Sequence, residues 1–187
     1  MAAVRTGRQR VTYADLERMP DDGRRYELYD GEVSVVPSPL LRHQRAAERV
    51  FELLREYSSR HGGEAIVAPI DIVFSDLDVV HPDVVFFGAS RTHVLHPDRP
   101  IRAAPDLVVE VLSPGTEATD RGRKMRTLAR YGAPEYWLVD TYERRIEIYR
   151  LSGGQCALER RVSEDEDVRS ATLPNLTFPA ARLFTEP

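Results

Sequence analysis

Cysteine and lysine are nearly missing from this sequence, which has one of each, Cys156 and Lys124. A single cysteine cannot form an internal disulfide, so the chain is not a small disulfide-stabilised secreted domain, and we expect it in the reducing cytoplasm. No apolar run approaches the roughly 20 residues that cross a membrane as a helix, so we expect no membrane span. The first ten residues contain three arginines with no apolar segment behind them, which predicts a disordered or frayed tail over residues 1–10 rather than a signal peptide.

The sequence also lacks an excess of positive charge. Its formal net charge is −4, which argues against a histone-like protein that coats nucleic acid. This balance does not exclude a local basic groove beside an acidic site. Apolar residues make up 42% of the chain and charged residues 30%, as in ordinary globular proteins. We therefore predict one domain over residues 11–187, long enough for a substantial hydrophobic core.

The N-terminal third predicts a helix, a hairpin and a second helix. Thr12 followed by Asp15 at the third helical position is typical of a capping box, for a short helix through residue 19. The pair DG between two alternating runs in RRYELYDGEVSVV predicts a β-hairpin. Apolar residues then recur at helical spacing over residues 38–62, which predicts a long helix ended by two glycines.

Apolar and β-branched runs predict the strands in the rest of the chain. These runs are EAIVA, IDIVF, DVVFF, DLVVEVL, EYWLVD, RRIEIYRL and a weaker one over residues 157–162. Residues 88–104 show no clear period and are interpreted as a loop, whereas residues 120–131 predict a helix. A right-handed crossover through this helix would make DLVVEVL and EYWLVD parallel, so the pattern predicts an α/β sandwich around a mixed sheet.

Two carboxylates occupy or begin strand-like runs that are otherwise apolar. Glu110 lies inside LVVEVL, and alternation puts it on the same face as Val108 and Leu112. Asp83 begins the run DVVFF, 27 residues earlier, which leaves enough chain for a neighbouring strand. A buried carboxylate is costly unless it is paired, hydrogen-bonded or bound to a metal. Two such acids on adjacent strands predict a site for Mg²⁺ or Mn²⁺, because these ions prefer oxygen ligands.

Lys124 stands out because the other 25 basic residues are arginines. It lies on the predicted helix after the Glu110 strand, where a compact ammonium can stabilise a pentacovalent phosphate or orient a water. The alternative is a structural role, in which Glu110 is ion-paired with Lys124 or an arginine. Arg121, Arg123 and Arg126 on the same helix either contact a nucleic-acid backbone or form a solvated face, and the sequence favours neither.

These segments resemble the Uma-type restriction-endonuclease family of bacteria, a branch of the PD-(D/E)xK nuclease superfamily. The resemblance runs from about Thr12 to beyond Asp140 and is carried by RRYELYDGEV, HPDVVFF and PDLVVEVLSPGTEATDRGRKMRTLARYGAPEYWLVD. It implies a restriction-endonuclease-like α/β core, with a mixed β-sheet flanked by helices and an N-terminal helix-hairpin-helix segment. It also implies a divalent metal at the splayed edge of the sheet.

The resemblance assigns roles to several residues. Asp83 matches the acid of the PD element and Glu110 the acid of the (D/E)xK element, and together they would hold Mg²⁺ or Mn²⁺. Leu112 stands where that element has its lysine. In this family a lysine on the next helix takes its place, and here that residue is Lys124.

Two further positions follow from the resemblance alone: Glu27 matches an N-terminal site acid, and His43 matches a position with a supporting role. The implied activity is divalent-metal-dependent hydrolysis of phosphodiester bonds by a DNA endonuclease, and we expect a homodimer. The alternative is a non-catalytic nucleic-acid-binding or assembly module that keeps the nuclease fold. The missing ExK lysine and the acidic net charge suggest it.

Overall fold

The computed structural model describes residues 10–185, so the tail predicted for residues 1–10 lies almost entirely outside the described residues. The helices are α1 (Tyr13–Glu17), α2 (Leu41–His61), α3 (Glu117–Thr119) and α4 (Met125–Arg130), and a π-helical turn, Asp120–Lys124, joins α3 to α4. We call the continuous helical segment from α3 to α4 the lysine helix. The strands are β1 (Arg25–Tyr29), β2 (Glu32–Val36), β3 (Glu64–Val67), β4 (Ile72–Ser75), β5 (Asp78–Val80), β6 (Val84–Phe87), β7 (Leu107–Val111), β8 (Glu135–Asp140), β9 (Arg145–Ser152), β10 (Gln155–Ser163), β11 (Asp167–Arg169) and β12 (Thr177–Pro179).

Six strands form the central sheet, in the order β10-β9-β8-β7-β6-β3. β7 and β8 are parallel, and the other neighbouring pairs in this sheet are antiparallel. The lysine helix connects β7 to β8, so the predicted parallel pair and its helical crossover are confirmed. Every residue of β7 and β8 is buried, which explains why both strands are nearly continuous apolar runs.

Alternation along β7 sends its side chains into two different cores. Val109 and Val111 belong to a core with the buried face of α2, formed by Ala46, Ala47, Val50, Leu53 and Leu54. Val108 belongs to a second core with Leu128 of the lysine helix. Glu110 shares the face of Val108, so this acid lies between the central sheet and the lysine helix.

A smaller sheet has the order β2-β1-β5-β4. Its β1–β2 pair is the predicted hairpin, and Asp30 and Gly31 have positive φ angles of 52° and 78°. A tight two-residue turn of this kind requires positive φ at both central residues. The sequence did not predict β5, because a run of three residues directly after a turn gives no visible alternation.

The helix-hairpin-helix segment is not confirmed as a structural unit. α1, the β1–β2 hairpin and α2 follow one another along the chain, but they belong to different layers. α1 packs on the small sheet through Tyr13 and Leu16, whereas α2 packs on the central sheet. α1 also ends at Glu17, two residues before the predicted end, although the predicted capping box begins it.

Two irregular regions contain more structure than the sequence indicated. The loop predicted for residues 88–104 includes a 3-10 helix, Ala89–Val94. After β10, the β11–β12 ladder and a second 3-10 helix, Ala180–Leu183, add buried residues to the core beneath α2. Within residues 10–185, no helix is long and apolar enough to cross a membrane.

Candidate active site

Asp83 and Glu110 lie across from each other at the ends of two central strands. β6 and β7 are antiparallel with Val84 opposite Val109, so the residue before β6 lies beside Glu110. The Val111 N–H donates to Asp83 Oδ2 at 2.8 Å, which fixes the Asp83 side chain over the end of β7. The Glu110 side chain is 3% exposed and that of Asp83 is 18% exposed, so the pair reaches solvent through Asp83.

Lys124 extends from the lysine helix into the same space. Its Nζ lies 2.9 Å from Glu27 Oε1, 3.1 Å from Glu110 Oε2 and 3.4 Å from Asp120 Oδ1. The ammonium is also 3.4 Å from the His81 carbonyl oxygen. The Lys124 side chain is only 5% exposed. One cation is therefore shared by three buried carboxylates.

A π-helical turn buries both Asp120 and Lys124. The helix begins at Glu117, about one turn before the predicted start, so Asp120 lies within the helix instead of capping it. π-helical turns inside α-helices are frequent at functional sites. Asp120 is a site residue that the sequence analysis missed, and its position four residues before Lys124 was the available signal.

Glu27 reaches the site from β1 of the smaller sheet. Its Oε1 accepts from the His81 N–H at 2.9 Å as well as from Lys124, and its Oε2 accepts from the Tyr29 hydroxyl at 2.8 Å. Burial opposes ionisation of this carboxyl, but Lys124 and the hydrogen bonds lower the pKa of Glu27 below its ordinary value. Both oxygens of an ionised Glu27 are therefore already occupied by donors from the protein.

His43, in the first turn of α2, faces Asp83. Its Nε2 is 3.1 Å from Asp83 Oδ2, and its side chain is 13% exposed. The other ring nitrogen, Nδ1, is buried and has no hydrogen-bond partner among the described residues. The position predicted for a supporting role is thus in direct contact with one acid of the pair.

The pKa values reflect an excess of carboxylate over cation. Burial would lower the pKa of Lys124, but Glu110, Glu27 and Asp120 raise it well above its ordinary value. Burial raises the pKa of Glu110 well above its ordinary value, an effect that Lys124 opposes and Asp83 reinforces. Burial likewise raises the pKa of Asp120, against the attraction of Lys124. The cluster therefore favours an additional cation or a proton.

One oxygen of Glu110 is available to such a cation. Glu110 Oε1 is buried and has no hydrogen-bond partner among the described residues, which is costly for a polar atom. Across residues 10–185 no group of three or more Asp, Glu, His or Cys side chains is arranged to hold a metal ion. Glu110 and Asp83 are the residues that would hold a divalent ion at this position. Mg²⁺ is commonly bound in this way, so the two acids fit Mg²⁺ or Mn²⁺.

The three arginines predicted beside Lys124 do not join the acidic cluster. Arg121 donates to Glu147 Oε2 at 2.6 Å and to Glu117 Oε1 at 2.8 Å, so its guanidinium is committed to contacts within the protein. Arg123 forms an ion pair with an exposed glutamate of β2. Arg126 is exposed. A contact with a nucleic-acid backbone stays a prediction for Arg123 and Arg126, and the pairing of Arg121 argues against one there.

His81 is a second residue whose place in the site the sequence did not reveal. Its side chain is 9% exposed, with Nδ1 3.3 Å from Asp71 Oδ1 and Nε2 2.9 Å from the Tyr26 carbonyl oxygen. Its backbone N–H donates to Glu27 and its carbonyl oxygen faces Lys124. The contacts of His81 with Glu27 and Lys124 are made by its backbone, so its residue type does not reveal them in the sequence.

The chain is similar to known proteins in sequence and in fold. The matching family model is Uma2, described as "Putative restriction endonuclease", and it covers residues 13–181. A crystal structure described as that of a "putative nuclease" from Anabaena variabilis is 20% identical, covers 93% of this chain and 97% of its own, and has a TM-score of 0.76. No curated protein matches the chain. The structural likeness shows a shared fold. The family model spans most of the sequence, including Asp83 and the three carboxylates around Lys124, so the chain belongs to the Uma2 family.

Proposed function

We propose that this protein is a divalent-metal-dependent phosphodiester hydrolase, a DNA endonuclease in which Asp83 and Glu110 bind Mg²⁺ or Mn²⁺. The observation that carries the proposal is the pairing of these two acids at the ends of neighbouring strands, with one Glu110 oxygen left without a protein partner. Membership of a restriction-endonuclease family supports nuclease chemistry, and the proposal adds the metal, the DNA substrate and the residue roles.

When bound, the divalent ion would polarise a phosphate oxygen and lower the pKa of a coordinated water. Lys124 contributes a fixed positive charge beside that position. Although burial would lower its pKa, the surrounding carboxylates raise it well above its ordinary value, so the ammonium stays charged. A permanently charged ammonium cannot act as a general base, and it instead stabilises negative charge that develops on the phosphate or orients the attacking water. With water as the nucleophile, no covalent intermediate forms.

The remaining residues hold these groups in place. Glu27 and Asp120 contact Lys124 from two further directions and fix its ammonium, and the occupied oxygens of Glu27 favour this positioning role over metal binding. His43 and the backbone N–H after Glu110 together fix the orientation of Asp83. Groups locked in this way are ready for the transition state without further rearrangement.

Cleavage of duplex and single-stranded DNA by purified protein with Mg²⁺ or Mn²⁺ tests the proposal. Glu110→Gln keeps the side-chain size and one acceptor for Lys124 but removes the charge, and we expect cleavage to fall on the order of 10²–10³-fold, as for other losses of a group that stabilises the transition state. Glu147→Gln is the matched control, since Glu147 is another buried strand acid that is already paired with Arg121. Equal cleavage by the wild type and Glu110→Gln would contradict the proposal.

One observation favours a second function. The side chains of Lys124 and Glu110 are 5% and 3% exposed, which suits an internal ion cluster as well as a reaction centre. In this second function, the chain is a non-catalytic nucleic-acid-binding or assembly module that keeps the nuclease fold. Absence of Mn²⁺ binding at millimolar concentration, together with absence of cleavage, would favour this module. Mn²⁺ binding that is lost in Glu110→Gln would favour the hydrolase.

A further inference from the structure

A cavity of about 540 Å³ lies where α2 begins, beside the turn that follows β8. Four arginines line it, namely Arg42, Arg45 and Arg49 from α2 and Arg144 from the turn between β8 and β9. We call this cavity the arginine groove. Because β8 runs parallel to β7, the turn after β8 and the Glu110 end of β7 lie at the same edge of the central sheet.

Helical spacing aligns three of these arginines. Arg42, Arg45 and Arg49 are three and four residues apart, so their side chains form one stripe along α2. At about 1.5 Å per residue, the stripe is roughly 10 Å long. The stripe is therefore long enough to contact more than one phosphate of a DNA strand.

The arginines of the stripe are not neutralised by acids. In the part of the chain that the structure describes, Arg42, Arg45 and Arg49 form no ion pair. The Arg42 guanidinium lies over the Tyr142 ring, 4.8 Å from its centroid, and Arg49 donates to the Leu183 carbonyl oxygen at 3.3 Å. Their positive charge is therefore available to an anion, unlike that of Arg121 on the lysine helix.

The groove and the acidic site lie at the same edge of the central sheet, and both are bordered by α2. His43 lies on a different face of α2 from the arginine stripe, and its Nε2 is 3.1 Å from Asp83. Tyr142 lines both the groove and a second cavity of about 340 Å³, whose other walls include the residues directly after β7. A phosphodiester bound at the acid pair would thus have positively charged protein on its flank.

We propose that the arginine groove binds the sugar-phosphate backbone of duplex DNA to one side of the bond that is cut, an inference that rests on the proposed function. Guanidinium groups form paired hydrogen bonds with phosphate oxygens, and such contacts set the position and orientation of the duplex without reading its sequence. Stacking on Tyr142 holds Arg42 in the groove. In a chain with a formal net charge of −4, a local patch of this kind is what attracts a polyanion.

Binding of a labelled DNA duplex over a range of NaCl concentrations, with Ca²⁺ in place of Mg²⁺, tests the groove independently of cleavage. The triple variant Arg42→Gln, Arg45→Gln, Arg49→Gln should weaken binding on the order of 100-fold near 0.1 M salt. It should also reduce the magnitude of the slope of log K against log salt concentration by about 2–3, where K is the association constant for DNA. Each lost phosphate contact lowers the magnitude of this slope by about 0.9. Arg45→Gln alone removes no ion pair or hydrogen bond among residues 10–185 and should still reduce the slope by about 1.

The matched control removes the same charge outside the groove. Arg55, Arg99 and Arg169 are exposed arginines, and the triple variant that changes each of them to Gln should leave the slope within about 1 of wild type. Hydrolysis of a small diester, bis(4-nitrophenyl) phosphate, should be equal in the wild type and the groove variant and lost in Glu110→Gln, because this substrate does not reach the groove.

The two proposals fail in different ways. Arginine-dependent duplex binding without any cleavage by the wild type would support the groove and overturn the hydrolase. Unchanged affinity and salt slope in both the triple variant and Arg45→Gln would overturn the groove, even where Glu110→Gln abolishes cleavage. An equal loss of binding in the control variant would also overturn it, since the effect would then be one of net charge.

Discussion

Two buried glutamates lie in the same row of the central sheet and have opposite surroundings. Glu110 on β7 and Glu147 on β9 both pair with Leu138 of β8, so they share one face, two strands apart. Glu147 accepts from Arg121 and from Tyr149, each at 2.6 Å, and two further arginines lie within 4.0 Å. Glu110, by contrast, shares a single lysine with two other carboxylates.

The two pKa values move in opposite directions for this reason. Burial opposes ionisation of Glu147, but hydrogen bonds from Arg121 and Tyr149 lower its pKa below the ordinary value. Burial raises the pKa of Glu110 well above that value, and the single Lys124 does not compensate. Burial alone therefore does not distinguish the two acids, whereas the ratio of cations to carboxylates around each of them does.

Removing the shared lysine should have the largest effect on stability. Lys124→Met leaves three buried carboxylates without their cation, and we expect the free energy of unfolding to fall by about 3–5 kcal/mol. Arg121→Met should cost about 1 kcal/mol, because Glu147 keeps its other donors. Urea unfolding at pH 7 in EDTA measures the free energy of unfolding of both variants. An equal decrease in the two would contradict a difference between the Glu110 and Glu147 clusters.

Neutralising each glutamate should change stability in opposite directions. Glu147→Gln removes the charge that Arg121 and Tyr149 bind, and we expect a loss of about 2 kcal/mol. Glu110→Gln relieves the excess negative charge and should stabilise the metal-free protein, because burial disfavours the ionised form of this carboxyl. Urea unfolding measures both changes in the free energy of unfolding. If Glu110→Gln lowered that free energy, Glu110 would have a structural role.

The pH dependence of these two changes should also differ in sign. The pKa of Glu110 is raised above 4.5 on folding, so the folded chain binds the extra proton and its stability falls as pH rises above that value. The pKa of Glu147 is lowered, so its contribution is present above 4.5 and is lost as pH falls through the folded pKa. The gain from Glu110→Gln should grow as the pH rises above 4.5, and the loss from Glu147→Gln should shrink as the pH falls below 4.5. If the change in unfolding free energy varied with pH in the same direction for both variants, this difference in sign would be contradicted.

His43→Gln should have the smallest effect. Asp83 keeps the Val111 N–H, so the acid stays near its place but loses one of two orienting contacts. We expect Mn²⁺ affinity and DNA cleavage to fall together by about tenfold, as for other residues that orient a metal ligand. His93→Gln, at an exposed position of the 3-10 helix Ala89–Val94, is the control. A change in cleavage without a change in Mn²⁺ affinity would exclude this positioning role.

The strands of the site were predictable because alternation and burial are local properties. The run LVVEVL was enough to place Glu110 on the face of the lysine helix, and the structure puts Lys124 Nζ 3.1 Å from it. Asp120 was missed because Ser113, Thr116 and Asp120 can each cap a helix, and the sequence does not show which one does. The longer helix also contains a π-helical turn, which has no composition signature in this chain.

The arginine groove was beyond sequence reasoning for another reason. Its stripe on α2 and the Tyr142 turn are about 100 residues apart, and only the fold brings them together. The sequence instead drew attention to Arg121, Arg123 and Arg126, because they are neighbours of Lys124. Which arginine is free depends on its ion pairs, and these are tertiary contacts.

Calorimetric titration with Mn²⁺ tests most directly the central claim that the unbalanced acids beside Lys124 hold a divalent ion. Wild type, Glu110→Gln and Glu147→Gln would be titrated under the same conditions. We expect one Mn²⁺ site in the wild type and in Glu147→Gln, and none in Glu110→Gln. Equal binding by all three proteins, or no binding by the wild type, would contradict it.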